Sequence, residues 1–337
     1  MQAERARLPG YIRSRQSEAE TRAKFDTPGQ TIVPAVNKTR QTRYLKNIMT
    51  FKEKIQAGKF LLTSEVGPAK GIHTEQLLKD VELYHKKSDA INVTDLQSSV
   101  MRLGSLTVSF LLKQKGFEPI YQLTCRDRNR LALQSDLLSA AALGIENISI
   151  LTGDHPTLGD HPEAKPVFDL DSVQLLQVAR KLEFGQDMKG NKLEGAAPKF
   201  CLGAAVNPGA EPLEPQIMKM EKKIAAGAEF FQTQAVYDLK VFENFIAKIK
   251  HLKAPVMAGI VLLKSAGMAR YMNKHVAGVF VPDNLIKEME EAKDKSAVSI
   301  EIASRLIKKL KPMCQGIHIM PIGWNKIVPQ VLEASGL

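Results

Sequence analysis

Glu65 stands at the end of an apolar run, Phe60-Leu-Leu-Thr-Ser-Glu65, and a carboxyl group in that setting is the first candidate for chemistry. Burial penalises its charged form, so such a group suits proton donation in general acid catalysis. The ordinary alternative is a strand-end glutamate that caps the next helix or pairs with a lysine. Other apolar runs stop in the same way, at Thr94-Asp95, Gln122-Leu-Thr-Cys125, Leu151-Thr-Gly-Asp154, Ala204-Ala-Val-Asn-Pro208, Gln232-Thr-Gln234 and Met320-Pro-Ile-Gly-Trp324. Asp154 brings a second carboxylate. It follows Gly153, whose missing side chain lets backbone approach a planar ligand closely, although a Gly-Asp turn opening the 154–169 loop reads equally simply. Gln234 carries a carboxamide, which donates and accepts at once and suits a heterocycle with a mixed edge.

The elements that must position these groups come from periodicity. Strand-like runs cover Phe60–Val66, Ala90–Thr94, Pro119–Leu123, Asn147–Leu151, Phe200–Val206, Phe230–Gln234, Pro255–Ile260 and Gly316–Met320. Helical patterns lie between them, among others at Thr74–Lys87, Asn129–Leu143, Ser172–Leu182, Pro215–Ala226, Leu239–Lys250 and Ser296–Leu310. Apolar residues recur there at spacings of three and four, with Lys and Glu on the opposite face. Eight strand–helix units predict a (β/α)8 barrel, an α/β fold of roughly 250 residues in its usual form. The alternative, an open doubly wound sheet, fits the count less well, and no G-x-G-x-x-G follows the first strand. A barrel carries its chemistry at the C-terminal ends of its strands, where the polar residues fall.

Residues 1–46 differ. Pro9-Gly10, Pro28-Gly29 and Pro34 interrupt them, and ten basic against four acidic side chains give a local net charge of +6 out of +11 for the 337-residue chain. They read as an irregular basic arm, with residues 47–337 as the barrel. The excess charge sits in that arm and lacks the stacking aromatics of an RNA-binding face, so nucleic acid is not the expected partner. Cys125, Cys201 and Cys314 lie far apart, which excludes a disulfide framework and suits a reducing cytoplasm. No apolar run approaches the 18 or so residues of a membrane span. His155 and His161 flank Asp160 without a third spaced ligand and read as a polar loop, so no metal site is expected. Lys264-Ser265 reads as a phosphate-binding turn or a plain helix start. Met268, Tyr271 and Met272 form a helix face that packs in the core or lines a pocket.

In order and spacing, the segments TSEVGPAKG (63–71), INVTD (91–95), QLTCRDRN (122–129), LGIENISILTGDHP (143–156), GAAVNP (203–208) and AGAEFFQTQAVYD (226–238) resemble the methylenetetrahydrofolate reductase family. KSAGMARYMN (264–273) and GIHIMPIGW (316–324) look more like its short bacterial members from anaerobes. The resemblance implies a flavin-bearing barrel that reduces 5,10-methylenetetrahydrofolate to 5-methyltetrahydrofolate. Glu65 would protonate N10 and flavin N5 would deliver hydride, with Asp154 acting beside the flavin and the pterin. By the same resemblance Thr94, Gln122, Leu151, Thr152, Gly153, Ala205, Asn207 and Lys223 contact the flavin, and Gln234 holds the pterin. Better-known relatives have arginine at Thr152, tyrosine at Val206 and aspartate at Gln216. These departures thin the contacts to a distal nucleotide, which brings FMN in beside the family's FAD. Electrons would come from NAD(P)H or from a separate zinc- or iron–sulfur-bearing subunit, within an oligomer to which the basic arm could dock. Two rival readings are a pterin-binding methyltransferase and a non-catalytic barrel subunit of a one-carbon complex.

Overall fold

The structure, a computed structural model, describes residues 49–337, so the expected basic arm lies outside the described residues. The chain runs α1 (Phe51–Gln56), β1 (Leu61–Val66), α2 (Glu75–Glu82), β2 (Ala90–Val93), α3 (Ser105–Gln114), β3 (Pro119–Thr124), α4 (Arg130–Ala142) and β4 (Asn147–Leu151). It continues through α5 (Ser172–Glu183), β5 (Cys201–Val206), α6 (Glu214–Ala225), β6 (Phe230–Ala235), α7 (Leu239–Ile249) and β7 (Val256–Val261). Three helices follow, α8 (Ala266–His275), α9 (Asp283–Glu291) and α10 (Lys295–Leu310), before β8 (Gly316–Met320) and α11 (Val328–Ser335).

The eight strands pair in parallel and in sequence order, and β8 closes on β1 through Leu61↔Gly316 and Thr63↔His318. This is the expected (β/α)8 barrel. Parallel strands covered on both faces have no polar edge to present to water, which is why their runs are apolar almost throughout. Side-chain alternation then sorts them. Leu62, Ile91, Tyr121, Ile148, Leu202, Phe231 and Ile317 point outward to the helices and join the main core. Leu61, Ala90, Ile120, Cys201, Phe230 and Met257 form a separate inner cluster with Phe51.

That inner cluster is the floor of the barrel. Helix α1 presents Phe51 edge-on to Phe230, ring centroids 5.3 Å apart. A capping box starts α1: the Thr50 hydroxyl accepts from Glu53 N, and the Glu53 carboxylate accepts from Thr50 N. Phe230 reaches the barrel interior because residue 203 is glycine, where a Cβ would lie 2.2 Å from its ring. Burying two such aromatics contributes a few kcal/mol and shuts the lower end, leaving the upper interior to polar groups.

Helix α2 ends at Glu82, short of the expected Lys87. Leu83 N and Tyr84 N bond to the carbonyls of Asp80 and Val81, a tighter turn that drives the Tyr84 ring into the core. Among the described residues no helix is long and apolar enough to cross a membrane.

Candidate active site

The strands supply the site by parity. Counting up β1 from the floor, Leu61, Thr63 and Glu65 point inward, and the same alternation turns Asn92 on β2, Thr94 just past its end, Gln122 on β3, Gln232 on β6 and His318 on β8 into the upper barrel. All eight expected strands are present, so Thr94, Gln122, Leu151–Asp154, Ala205, Asn207 and Gln234 come together at the C-terminal end of one closed sheet.

Glu65 is 8% exposed and lies between two nitrogen groups. Gln97 Nε2 donates to its Oε1 at 3.2 Å. His318 Nε2 stands 3.6 Å from its Oε2. The far side of that imidazole is fixed: Nδ1 is 2.9 Å from Thr63 Oγ1 and 3.2 Å from Gln232 Nε2, while Gln232 Nε2 also donates to Thr63 Oγ1 at 3.2 Å. No lysine pairs with Glu65 among the described residues, and it caps no helix.

Beside Glu65, in register on β2, Asn92 is fully buried, and neither Nδ2 nor Oδ1 has a partner among the described residues. Thr94 Oγ1, one inward position higher, is buried and unpartnered as well. Leaving buried polar atoms unpaired costs about 1–3 kcal/mol each, so such a cluster at a strand end marks a place for a polar guest.

The rim around it is braced. Asp95 accepts from Thr124 N at 2.9 Å, Thr124 Oγ1 at 2.8 Å and Arg128 Nη1 at 2.7 Å, which ties the end of β2 to the end of β3. Arg128 Nε reaches Asp136 at 2.8 Å. Gly153 sits at φ +93°, a conformation that side-chain-bearing residues avoid, and a Cβ there would lie 3.0 Å from Arg126 Cβ and 3.2 Å from Thr124 Cβ. Asp154 is exposed; its carbonyl accepts from Ser99 and Arg126, while its carboxylate makes no bond among the described residues. Thr152 Oγ1 donates to Ser172 Oγ at 3.2 Å, so its hydroxyl serves the start of α5.

Lys223, on α6, is 7% exposed and, among the described residues, bonds only to Ala205 O, at 2.7 Å. Burial, and next the neighbouring Lys219, push its ammonium down to about 8. A buried cation that has no carboxylate partner among the described residues is a candidate for meeting an anion. Asn207 keeps its side chain within the rim, donating to Ala277 O and accepting from Gly209 N, which leaves its backbone for any ligand. Gln122 is inward and 9% exposed, its carboxamide unbonded among the described residues. Gln234 is exposed at the mouth, turned there by a bulge: Gln232 pairs with Met257 but Ala235 with Gly259, one residue too many on β6.

Three further segments make ordinary structural contacts. Ser265 Oγ accepts from Met268 N, so Lys264-Ser265 begins a helix. Met272 is core and Tyr271 lies exposed against His275. His155 Nδ1 bonds Thr157 and His161 Nδ1 bonds Asp160, each within its own loop. Thr63, Asn92, Gln97, Gln232 and His318 were not singled out in the sequence. The signal for four of them was polar residues two apart inside a strand run (Thr63/Glu65, Asn92/Thr94, Gln232/Gln234) and a lone histidine in Gly-Ile-His318-Ile-Met.

A family model described as methylenetetrahydrofolate reductase matches residues 45–336. The chain belongs to that family. Among relatives, methylenetetrahydrofolate reductase 2 of Schizosaccharomyces pombe is 28% identical over 64% of this chain and 35% of its own length. A probable methylenetetrahydrofolate reductase (NADPH) of Caenorhabditis elegans is 23% identical over 75% of this chain and 37% of its own. The chain thus spans about a third of these curated relatives. Among solved structures, an uncharacterized protein from Clostridium thermocellum that binds two copies of 5-methyl-5,6,7,8-tetrahydrofolic acid shares the fold with TM-score 0.57 at 15% identity, covering 85% of this chain and 98% of that one.

Proposed function

We propose that this chain is a flavin-dependent methylenetetrahydrofolate reductase, reducing 5,10-methylenetetrahydrofolate to 5-methyltetrahydrofolate, and that residues 47–337 are its catalytic barrel. The observation that carries the reading is Glu65: a buried carboxyl at a barrel mouth, set beside unpartnered Asn92 and Thr94. Membership of the family and the methyltetrahydrofolate bound by the Clostridium thermocellum barrel support it.

The residues fit a flavin. Thr94, Asn92 and Gln122 offer unpaired groups to a ring that both donates and accepts, and Lys223 suits the phosphate end. A flavin held there would supply the hydride that the substrate carbon accepts. The protein's own part is acid catalysis. Methylenetetrahydrofolate is a closed aminal and accepts hydride poorly until the bond from its bridging carbon to N10 breaks. The Glu65 O–H passes its proton to N10, that bond's electron pair stays on N10, and an iminium ion remains at N5. Asp154, with its free carboxylate, favours that cation. Gln234 holds the pterin edge.

FAD or FMN as the flavin, NAD(P)H or a zinc- or iron–sulfur-bearing partner subunit as the electron source, and assembly into an oligomer in the cytoplasm complete the proposal. The test is the visible spectrum of the purified protein, taken anaerobically before and after adding 5-methyltetrahydrofolate. A flavin spectrum that bleaches supports the reading, and extraction identifies the flavin. A colourless protein that neither flavin reconstitutes overturns it. Glu65→Gln should keep its flavin and its reduction by dithionite yet lose folate turnover by about 10²-fold or more.

A further inference from the structure

We propose that Gln97 is a positioning residue for Glu65, held over the barrel mouth by a strained loop that a buried arginine locks to the Asp154 loop. The proposal rests on the acid role given to Glu65 above. Gln97 lies on the connection after β2, and its carboxamide is the group that reaches Glu65 Oε1. The backbone around it is unusual. Leu96, Ser98 and Ser99 hold φ values of 46°, 56° and 57°, in the left-handed region that residues with side chains avoid. Strain of this kind persists only where surrounding structure over-determines it.

Arg126 provides that structure. It is 2% exposed, and its Nη1 donates to Ser99 Oγ at 2.8 Å and to Asp154 O at 3.2 Å, while Nη2 points to Leu96 O at 3.4 Å. Its charge is balanced by both oxygens of Asp127, at 2.8 Å each. Ser99 Oγ in turn donates to Asp154 O at 3.0 Å. Contact between the two loops also needs glycine at 159, where a Cβ would fall 1.9 Å from Ser99 O. The loops after β2 and β4 are therefore one unit, and the strained segment has a purpose beyond linking β2 to α3: it delivers Gln97 Nε2 to the acid.

The consequence is geometric. Gln97 bonds one carboxyl oxygen of Glu65 while His318 stands 3.6 Å from the other, so the Gln97 bond orients the carboxyl plane. A proton donor must meet its acceptor within hydrogen-bond reach, and small misplacements cost rate steeply. Gln97→Met keeps the side-chain length and removes the donor. In the flavin-loaded enzyme, reduced with dithionite and then mixed with 5,10-methylenetetrahydrofolate, this variant should reoxidise about 10- to 100-fold more slowly than wild type. Flavin content, dithionite reduction and equilibrium binding of 5-methyltetrahydrofolate should not change. Gln97→Asn, which keeps the amide but falls one methylene short, should show the same loss and covers the case in which Gln97→Met does not fold.

A second readout is independent of activity. Unfolding midpoints of Gln97→Met, Glu65→Gln and the double variant should be non-additive, because the two side chains share one bond. Reoxidation of both Gln97 variants within twofold of wild type, alongside an inactive Glu65→Gln, overturns the proposal. So does a loss of folate binding equal to the loss of rate, which would make Gln97 a binding group. Full folate turnover by Glu65→Gln is a different failure, since it removes the acid role itself.

Discussion

At the scale of single residues, Lys223 carries the clearest energetic consequence. Its ordinary value is 10.5 and burial brings it to about 8, so the unfolded chain holds the proton more tightly than the folded one does. For a base the sign is then fixed: below pH 8 the buried ammonium costs stability, and the cost disappears as pH rises from 8 to 10.5. At 1.36 kcal/mol per unit the cost at neutral pH is on the order of 3 kcal/mol. A phosphate beside Lys223 would offset it. Lys223→Met should therefore raise the unfolding midpoint of flavin-free protein at pH 7, with the difference shrinking toward pH 10. The same substitution should weaken flavin binding by about 10- to 100-fold, the worth of one charge-assisted bond. A midpoint that falls at pH 7 would mean that the bond to Ala205 O outweighs the burial.

At the scale of elements, the bulge in β6 decides where the Gln234 amide goes. Alternation alone would send Gln234 inward above Gln232, into the space beside Glu65. The extra residue lifts it to the rim instead, and Thr233 makes this stable: its hydroxyl accepts from Gly259 N at 2.9 Å and donates to Gln234 O at 2.7 Å. A Cβ at residue 259 would lie 2.4 Å from Thr233 O, so glycine there belongs to the same device. Thr233→Val keeps the shape and removes both bonds, leaving the Gly259 N–H buried and unpaired. Urea unfolding should show a loss of about 1–3 kcal/mol. Released from the bulge, Gln234 should also cost folate affinity, so the KM for methylenetetrahydrofolate should rise while flavin content stays constant. An unchanged KM would separate the bulge from substrate binding.

At the scale of the whole molecule, loops from different barrel strands are joined by ion pairs that acid should release. Arg130 bonds both oxygens of Asp169 and holds its carboxyl down to about 2. Lys70, His161 and Met101 N bond Asp160, which sits well below the ordinary range for its type. A carboxylate whose folded value is depressed stabilises the fold at pH above its unfolded value of 3.8 and loses that contribution as pH falls toward 2. Circular dichroism melts at pH 5, 4, 3 and 2 should show the midpoint dropping through that window. Asp169→Asn should flatten the slope, and an unchanged slope would mean that other carboxylates set the acid limit.

Much of this architecture was legible in the order of the residues. Each strand run lies within one residue of its expected bounds at either end, because a parallel strand covered on both faces must be apolar along its length. With eight runs in place, the barrel brings Glu65, Thr94, Asp154 and Gln234 to one end, since parallel strands share a direction. Closure decided the rest. Thr63, Gln232 and His318 are far apart in the chain and meet only because β8 returns to β1 and the interior is narrow enough for β6 to reach across. Gln97 was hidden for another reason. Its position depends on left-handed backbone at Leu96, Ser98 and Ser99, which nothing in those residue types predicts. Only the packed Arg126, drawing on carbonyls from two loops, makes that conformation the stable one.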